Sequence, residues 1–181
     1  MIKLAIDGGY LSWAYGGIGS KSWPLVHYHY SKASGALICL DSPESARRLF
    51  YAEYKLHRKL RREEDPRKEE MHQRIKFFQE IIREDHSLLK LEVPGLEADD
   101  LVSILSLRYN LPVIGGDKDL LQVPDLYLQT LEKEVLPISK FAKRQPKAYQ
   151  EFVVEPKDVL LVLALMGDKS DDIPRLSPPR S

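Results

Sequence analysis

Short apolar runs alternate with longer stretches of helical spacing along most of the chain. Each short run has four to six residues and predicts a β-strand. These runs cover residues 3–6, 36–40, 88–93, 111–114, 125–130 and 134–138. A further run at 23–30 alternates only in part, and it predicts an edge strand or a hairpin.

The longer stretches predict helices. Within one of them, Ile75, Phe78 and Ile82 recur at spacings of three and four and would share one buried face. Pro43 is expected in the first turn of another helix, and Gly167 is expected to end the last one. The predicted helices cover residues 42–62, 66–83, 97–107 and 156–166.

Strands that alternate with helices predict an α/β fold with a mostly parallel central sheet, flanked by helices. Gly8 and Gly9 are expected to break the chain after the first strand. In open sheets of this kind, sites form beyond the carboxyl ends of the strands. The functional residues are therefore expected just after the predicted strands.

The composition is that of one globular domain. The chain has 181 residues, of which 43% are hydrophobic, and this is enough for a sizeable core. No apolar run approaches the ~20 residues of a membrane span, and residues 1–9 lack a signal-peptide pattern. A single cysteine, Cys39, excludes an internal disulfide and suits a reducing compartment. Its apolar neighbours predict a buried structural thiol.

Acidic residues follow most of the predicted strands, and one cluster begins a helix. Acids in a first helical turn would explain that cluster alone, because they oppose the helix dipole. They do not explain acids at nearly every strand end, which a parallel sheet would bring to one edge. The residues concerned are Asp7, Asp41, Glu97, Asp99, Asp100, Asp117 and Asp119, with Asp168 and Asp171 after the last predicted helix.

Carboxylates held close together repel one another, so this arrangement predicts a bound cation. No His or Cys ligand set accompanies the acids, which argues against zinc. An oxygen-only set favours Mg²⁺ or Mn²⁺. Since the acids outnumber the ligands that one such ion normally takes, two ions roughly 3.5–4 Å apart fit better.

A basic block lies beside the acids in sequence, although the formal net charge of the chain is zero. Between residues 47 and 62 there are seven basic residues and one acid, Glu53, which gives a local net charge of +6. A solvated helix face would explain such a run. However, Tyr51, Tyr54 and His57 interleave with the bases, which is typical of nucleic-acid binding. The basic residues are Arg47, Arg48, Lys55, Arg58, Lys59, Arg61 and Arg62.

Five segments together resemble the 5′-nuclease family. That family includes the 5′–3′ exonuclease domain of bacterial DNA polymerase I, phage 5′-nucleases and flap endonucleases. The segments occur in family order and span about residues 2–174. They read IDGGYLSWAY, LDSPESARRLFYAEYKLHRK, VPGLEADDLV, VIGGDKDLLQ and ALMGDKSDDIP.

The resemblance implies a PIN-like α/β core and two-metal hydrolysis of phosphodiester bonds near 5′ ends or flaps. DNA would be the substrate, with RNA in hybrids as a further candidate, in replication or repair. It also implies a cytoplasmic protein of a bacterium, or one encoded by a phage. By motif, the first metal region would contain Asp7, Glu97, Asp99, Asp117 and Asp119.

The other motif residues receive roles in the same way. Asp100 would contribute directly or through water, and Asp41 would act through water. Asp168 and Asp171 match the second-metal pair. The resemblance implies that the scissile phosphate is positioned, under a helical gateway at 47–84, by Tyr54, Lys55 and Arg58.

The C-terminal region departs from the family pattern. In the family, DDIP leads into a Gly-rich helix–hairpin–helix that binds duplex, whereas this sequence continues as RLSPPRS. We therefore expect a nuclease core at 1–174, a Pro-rich tail at 175–181, and a duplex-binding element that is lost, truncated or supplied by a separate chain or region.

Two other classes of protein share some of these sequence features. A phosphatase of the haloacid dehalogenase type needs a D-x-D pair after the first strand, where this chain reads DGG. A PIN-like module that binds nucleic acid with little or no catalysis is disfavoured by the complete set of motif acids, but it stays open because the duplex-binding element is missing.

Overall fold

The computed structural model describes residues 1–16, 35–123, 126–129, 135–137, 158–167 and 176. The expected strand or hairpin at 23–30, the acids Asp168 and Asp171, and the tail beyond 176 lie outside the described residues. None of the described helices is long and apolar enough to cross a membrane.

The described strands form one six-stranded sheet, in the order β3-β2-β1-β4-β5-β6. Each neighbouring pair is parallel except β5 and β6, which are antiparallel. The expectation of a mostly parallel α/β sheet is therefore confirmed. The strands are β1 Leu4–Asp7, β2 Ala36–Leu40, β3 Leu89–Glu92, β4 Val113–Ile114, β5 Leu126–Gln129 and β6 Val135–Pro137.

Helices cover both faces of this sheet. On one face, Ile6, Ile38 and Ile114 pack in a core with residues of α1 and α4, and on the other Ala5 and Val113 pack with residues of α5 and α6. The described helices are α1 Gly8–Gly16, α2 Arg47–Phe50, α3 Leu56–Glu63, α4 Pro66–Glu84, α5 Ala98–Tyr109 and α6 Val159–Met166, with a 3₁₀ helix at Lys118–Gln122.

Helix α4 agrees with its sequence pattern. Pro66 lies in its first turn, and the side chain of Asp65 accepts a hydrogen bond from the amide of Arg67 at 3.1 Å. Phe78 and Ile82 are buried as the spacing predicts. Helix α6 ends before Gly167, whose φ of 68° is the left-handed conformation that the stop signal predicts.

The continuous helix expected at 42–62 is wrong. Helix α2 has one turn, the chain then leaves helical geometry, and α3 begins only after Lys55. The segment before α2 is bound to the segment before α5, because the amides of Ser42 and Ala46 donate to the carbonyls of Leu96 and Gly95 at 2.9 and 2.8 Å. Tertiary hydrogen bonds thus replace the helical turn that Pro43 was expected to begin.

The break expected at Gly8 and Gly9 is also wrong, because α1 begins directly at Gly8. A Cβ atom at Gly8 would lie 2.4 Å from the carbonyl oxygen of Cys39. The glycine therefore allows the start of α1 to lie against β2, rather than interrupting the chain. The 3₁₀ helix after β4 was not anticipated from the sequence.

Candidate active site

The carboxyl ends of three parallel strands bring acidic residues to one edge of the sheet. Asp7 ends β1, Asp41 follows β2, and Asp117 follows β4 by three residues. Glu97 directly precedes α5, and Asp99 lies in the first turn of that helix. The sheet topology therefore explains why acids that are distant in sequence gather here.

Asp7 is the most deeply buried of these acids, with 6% of its surface exposed. Its Oδ1 atom accepts hydrogen bonds from the amides of Gly9 and Tyr10, at 2.9 and 3.1 Å, at the beginning of α1. Burial, with further contributions from the charges of Asp41 and Asp99, raises the pKa of Asp7 to about 7. A buried carboxyl among like charges is a natural position for a cation ligand.

Asp41 connects the end of β2 to the start of α5. Its Oδ1 atom accepts a hydrogen bond from the amide of Ala98 at 2.8 Å, and its carbonyl accepts one from Arg83 at 3.0 Å. A Cβ atom built on Gly9 would lie 3.2 Å from Oδ1 of Asp7 and 3.5 Å from Oδ2 of Asp41. Gly9 therefore lies close to both carboxylates, and a side chain at this position would crowd them.

Glu97 is buried and receives three cationic or polar side chains. Lys55 Nζ lies 2.9 Å from Oε1, the hydroxyl of Tyr54 lies 2.9 Å from Oε2, and the guanidinium of Arg47 also donates to Oε2. Burial alone would raise the pKa of Glu97, but the hydrogen bond and charge of Lys55, with those of the other partners, leave it lowered. Glu97 is therefore ionised in the resting site.

Arg47 joins the basic block to the acidic cluster. Its Nη2 atom lies 2.5 Å from Oδ1 of Asp100 and its Nη1 atom lies 3.8 Å from Oδ1 of Asp99, in addition to the contact with Glu97. The same guanidinium is 5.6 Å from the centre of the Tyr54 ring. One side chain of α2 thus contacts all three acids of the EADD segment.

Lys55 adopts an unusual backbone conformation. Its φ of 60° is left-handed, which costs a non-glycine residue about 1–2 kcal/mol. Burial would lower the pKa of Lys55, but the hydrogen bond and charge of Glu97 outweigh this effect and raise it. The ammonium group is therefore charged and lies 5.1 Å from the centre of the Tyr54 ring.

Asp99 interacts electrostatically with Arg47, Glu97 and Asp100 and also with Asp7. Burial raises its pKa to about 6, Arg47 opposes this rise, and Asp100 and Glu97 add to it. Its Oδ1 atom accepts the amide of Asp100 at 2.8 Å, which stabilises the first turn of α5. The negative charge of Asp99 also raises the pKa of Asp7.

Two further predicted ligands, Asp117 and Asp119, lie at the start of the 3₁₀ helix after β4. Asp117 is exposed, and its Oδ1 atom accepts the amide of Asp119 at 3.1 Å at the start of the 3₁₀ helix. Within the described part of the chain, no three His, Cys, Asp or Glu side chains lie close enough together to hold a metal ion. The structure thus brings Asp41 and Asp99 near enough to Asp7 for their charges to act on it, while Arg47 links Glu97 and Asp100.

Outside Arg47 and Lys55, the basic block is spread over α2 and α3. Arg48 is exposed and Arg58 is partly buried. Lys59 pairs with Glu63 at 3.9 Å, and Arg62 Nη1 lies 3.2 Å from Nδ1 of His72. The side chain of Arg61 is outside the described residues.

The sequence predicted that the basic block serves the acidic site, but not that Arg47 and Lys55 pair directly with Glu97. Arg47 and Lys55 are separated from Glu97 by 50 and 42 positions, so no local pattern reports the pairing. Gly9 was also missed as a lining residue between Asp7 and Asp41. Its position after a strand-end acid was the only signal, and that signal also fits an ordinary turn.

The donor set fits a hard divalent cation. All of the gathered ligands are carboxylate oxygens, and burial of Asp7 beside two like charges leaves a place where added positive charge would be stabilising. The carboxylates nearest to this place are Asp7, Asp41 and Asp99, although among the described residues no three of them are close enough together to share one ion.

A family model described as the 5′-3′ exonuclease, N-terminal resolvase-like domain matches residues 20–154. The chain belongs to this 5′–3′ exonuclease family. The family resemblance stated from the motifs is therefore confirmed, together with the PIN-like α/β fold.

Two curated relatives are 5′–3′ exonucleases of bacteria. The protein from Buchnera aphidicola (subspecies Schizaphis graminum) is 31% identical over 83% of this chain and 50% of its own length. The protein from Aquifex aeolicus is 31% identical over 76% of this chain and 46% of its own length. This exonuclease-family chain therefore spans about half the length of the curated relatives it matches.

Solved structures show the same fold. The T5 5′-exonuclease with bound zinc ions superposes with a TM-score of 0.65 and 19% identity, over 97% of this chain and 70% of the other. The catalytic core of Rad2 in complex with a DNA substrate gives 0.52 and 15% identity, over 98% and 58%. At these identities the likeness establishes only the fold of the exonuclease-family chain. Its chemistry has to be argued from its own residues.

Proposed function

We propose that this chain is the nuclease core of a metal-dependent 5′-nuclease. It hydrolyses phosphodiester bonds of DNA near 5′ ends or flaps with two Mg²⁺ or Mn²⁺ ions, and RNA in hybrids is a second candidate substrate. The proposal places the core at residues 1–174, with the region 47–84 as the gateway through which a single strand approaches the acids.

The junction between α2–α3 and the acidic edge carries the proposal. A phosphodiester substrate needs cations for its phosphates and acids for metal ions at the same place. Lys55 and Arg47 provide the cations, and both already contact Glu97 directly. A phosphate held by these side chains would therefore lie beside the carboxylates.

Each side chain then has a defined task. Tyr54, Lys55 and Arg58 position the scissile phosphate, and the exposed bases Arg48 and Lys59 hold the adjoining backbone.

The acids take the ligand roles that their motifs imply. Asp7, Glu97, Asp99, Asp117 and Asp119 hold the first ion, Asp168 and Asp171 hold the second, and Asp41 and Asp100 act through water. Bound ions would supply an activated water and stabilise charge on the phosphate. The raised pKa of Asp7 lets this buried side chain keep a proton near neutral pH. Asp7 would lose that proton when a cation binds.

The relatives support this assignment through what they bind. The T5 5′-exonuclease is known with divalent metal ions, and the T5 flap endonuclease and Rad2 are known in complexes with DNA. Because the present chain spans about half of the curated exonucleases, its activity and substrates are proposals for the core alone.

One observation favours a second candidate, a PIN-like module that binds nucleic acid with weak or no catalysis. Glu97 is already saturated by Arg47, Tyr54 and Lys55, and Asp100 is held by the same arginine. If these pairs persist in the presence of substrate, Glu97 and Asp100 cannot serve as ligands.

Metal-dependent cleavage separates the two candidates. A 5′-labelled flap, a single strand and a duplex would each be incubated with the chain in Mg²⁺, Mn²⁺ or EDTA, and the products mapped. We expect cleavage only with metal, and loss of most activity in Asp7→Asn. The exposed aspartate Asp158, which has no assigned role, provides the control Asp158→Asn. Nucleic-acid binding without metal-dependent products would establish the second candidate instead.

A separate comparison tests whether the core at 1–174 depends on a duplex-binding element in another region or chain. The proposed core is expected to bind duplex weakly and to cut flaps at several positions. Fusing the duplex-binding region of a longer relative after Pro174 should sharpen the cut-site distribution. A single cut position and tight duplex binding by the core alone would contradict this expectation.

A further inference from the structure

A cleft of about 390 Å³ lies between α2 and α5, next to the acidic cluster. Arg47 and Asp100 line the cleft, and both also belong to the acid–base junction. The rest of the lining is mainly apolar. The residues that complete it are Ala46, Phe50, Gly95, Leu96, Ser103, Ile104 and Leu107.

We propose that this cleft binds one nucleobase of the single strand whose backbone is cleaved at the neighbouring acids. The inference rests on the proposed function for the nature of the strand, but it assigns a subsite that the catalytic residues do not require. Three features of the cleft support a base as its occupant.

The first feature is the chemistry of the lining. Phe50 lies at the rim with 91% of its surface exposed, and Ile104 and Leu107 are also exposed on α5, at 48% and 66%. An aromatic rim and an aliphatic wall suit the two faces of a heterocyclic ring. Ser103 offers a hydroxyl group that can donate to or accept from the polar edge of such a ring.

The second feature is that the floor is fixed in advance. Gly95 has a φ of 83°, and a Cβ atom there would lie 3.1 Å from Cβ of Ala46. The amide of Ala46 donates to the carbonyl of Gly95 at 2.8 Å, and the amide of Gly95 donates to Oγ of Ser42 at 3.0 Å. The cleft therefore does not have to form when the ligand arrives, which lowers the entropic cost of binding.

The third feature is continuity with the cations that bind phosphate. Arg47 lines the cleft, and the adjacent Arg48 is exposed on the same helical turn. A nucleotide whose phosphate contacts these guanidinium groups has its base within reach of Phe50. A peptide side chain could fill an apolar cleft equally well, but it would not use the adjoining cations.

Abasic scanning tests the proposal through binding rather than cleavage. Fluorescently labelled single strands, each with one abasic nucleotide at a different position, would be titrated with the protein in Ca²⁺, and a gel would verify that the strands stay intact. We expect one position at which the abasic site weakens binding about 5- to 100-fold, because stacking of a single base is worth that much.

Two variants locate the effect in the cleft. Phe50→Ala removes the aromatic rim, and Ser103→Trp fills the cavity, so both should abolish the position-dependent penalty. Leu49→Ala is the matched control, because Leu49 is 84% exposed on the same turn but does not line the cleft. Circular dichroism would verify that each variant is folded.

The results separate this inference from the proposed function. A penalty at one position that persists in Leu49→Ala and disappears in the two cleft variants supports the subsite, even if the chain cleaves nothing. A flat abasic scan in the wild-type protein, or an unchanged penalty in Phe50→Ala and Ser103→Trp, overturns it even if cleavage is efficient.

Discussion

At the scale of single residues, Asp7 links the electrostatics of the site to the stability of the fold. It is buried, its Oδ1 atom accepts two amides of α1, and its charge is opposed by Asp41 and Asp99. The same features that would make Asp7 a good cation ligand therefore make its ionisation costly when no cation is present.

This cost predicts a pH dependence of stability in metal-free buffer. The pKa of Asp7 is raised to about 7 in the folded chain, whereas the unfolded chain ionises near the ordinary value of 3.8. The unfolded chain therefore binds fewer protons between these values, and the free energy of unfolding falls as the pH rises from about 4 to 7. Asp7→Asn should remove a decrease on the order of a few kcal/mol.

Urea unfolding at about pH 4.5 and 7.5 measures this difference. The exposed Asp158→Asn variant should retain the decrease shown by the wild-type protein. Asp99, whose pKa is also raised, to about 6, has an effect of the same sign and should leave part of the slope in Asp7→Asn. Equal slopes in all three proteins would contradict the assignment to Asp7.

Arg47 is the second residue whose contacts are expected to stabilise the whole fold. It contacts Glu97, Asp99 and Asp100, so Arg47→Gln would leave the buried Glu97 with fewer partners. We expect a loss of about 1–3 kcal/mol in the free energy of unfolding. Arg48→Gln, one position further along the same turn, should change it by less than about 0.5 kcal/mol. Similar losses in the two variants would show that the contacts of Arg47 do not stabilise the fold.

At the scale of secondary-structure elements, the interruption between α2 and α3 is the feature that shapes the site. Lys55 precedes α3 with a left-handed backbone, and its side chain reaches Glu97. A continuous helix would have kept Lys55 in right-handed geometry. The ion pair and the strained backbone therefore belong together.

This geometry predicts that glycine and alanine substitutions rank in opposite order of stability at Lys55 and at Lys59. At Lys55, both Gly and Ala remove the ion pair, but only Gly relaxes the left-handed conformation, so Lys55→Gly should be more stable than Lys55→Ala by about 1 kcal/mol. At Lys59, within α3, the order should reverse, since glycine disfavours a helix by about 1 kcal/mol. The four midpoints of urea unfolding test this, and the same order at both positions would contradict it.

At the scale of the whole molecule, the parallel sheet determines which residues meet. Neighbouring β1, β2 and β4 all end at the same edge, with α1 and α4 on one face and α5 and α6 on the other. This arrangement brings Asp7 and Asp41 to the same edge, and it places α5 so that the amide of Ala98 donates a hydrogen bond to Asp41. The acidic edge is thus a property of the assembled sheet.

Binding of a divalent cation at this edge should stabilise the whole fold. A ligand that binds only the folded state at 100 times its dissociation constant adds about 2.7 kcal/mol. Mn²⁺ is therefore expected to raise the melting temperature of the wild-type protein, and EDTA should reverse the increase. Asp7→Asn should lose most of the increase and Asp158→Asn should retain it. A melting temperature that is independent of Mn²⁺ would exclude a site that is specific to the folded chain.

Local sequence patterns were sufficient for the elements whose geometry depends on neighbouring residues. The five parallel strands and helix α4 follow from apolar periodicity, and the end of α6 follows from Gly167. Periodicity works here because burial on one face of a strand or helix repeats with the geometry of that element. The convergence of Asp7 and Asp41 was also predictable, since strand ends in a parallel sheet share an edge.

Tertiary structure alone decided the break at Lys55, the helical start at Gly8 and the contacts of Glu97. Each depends on groups that are distant along the chain: Lys55 lies 42 positions from Glu97, and the carbonyl that Gly8 faces belongs to Cys39. The positions of the acids after the predicted strands indicated charge repulsion among them, but they could not show that the chain's own Arg47 and Lys55 neutralise part of it. Such pairs form only when the sheet brings their elements together, because electrostatic energy depends on distance in space and not on separation in sequence.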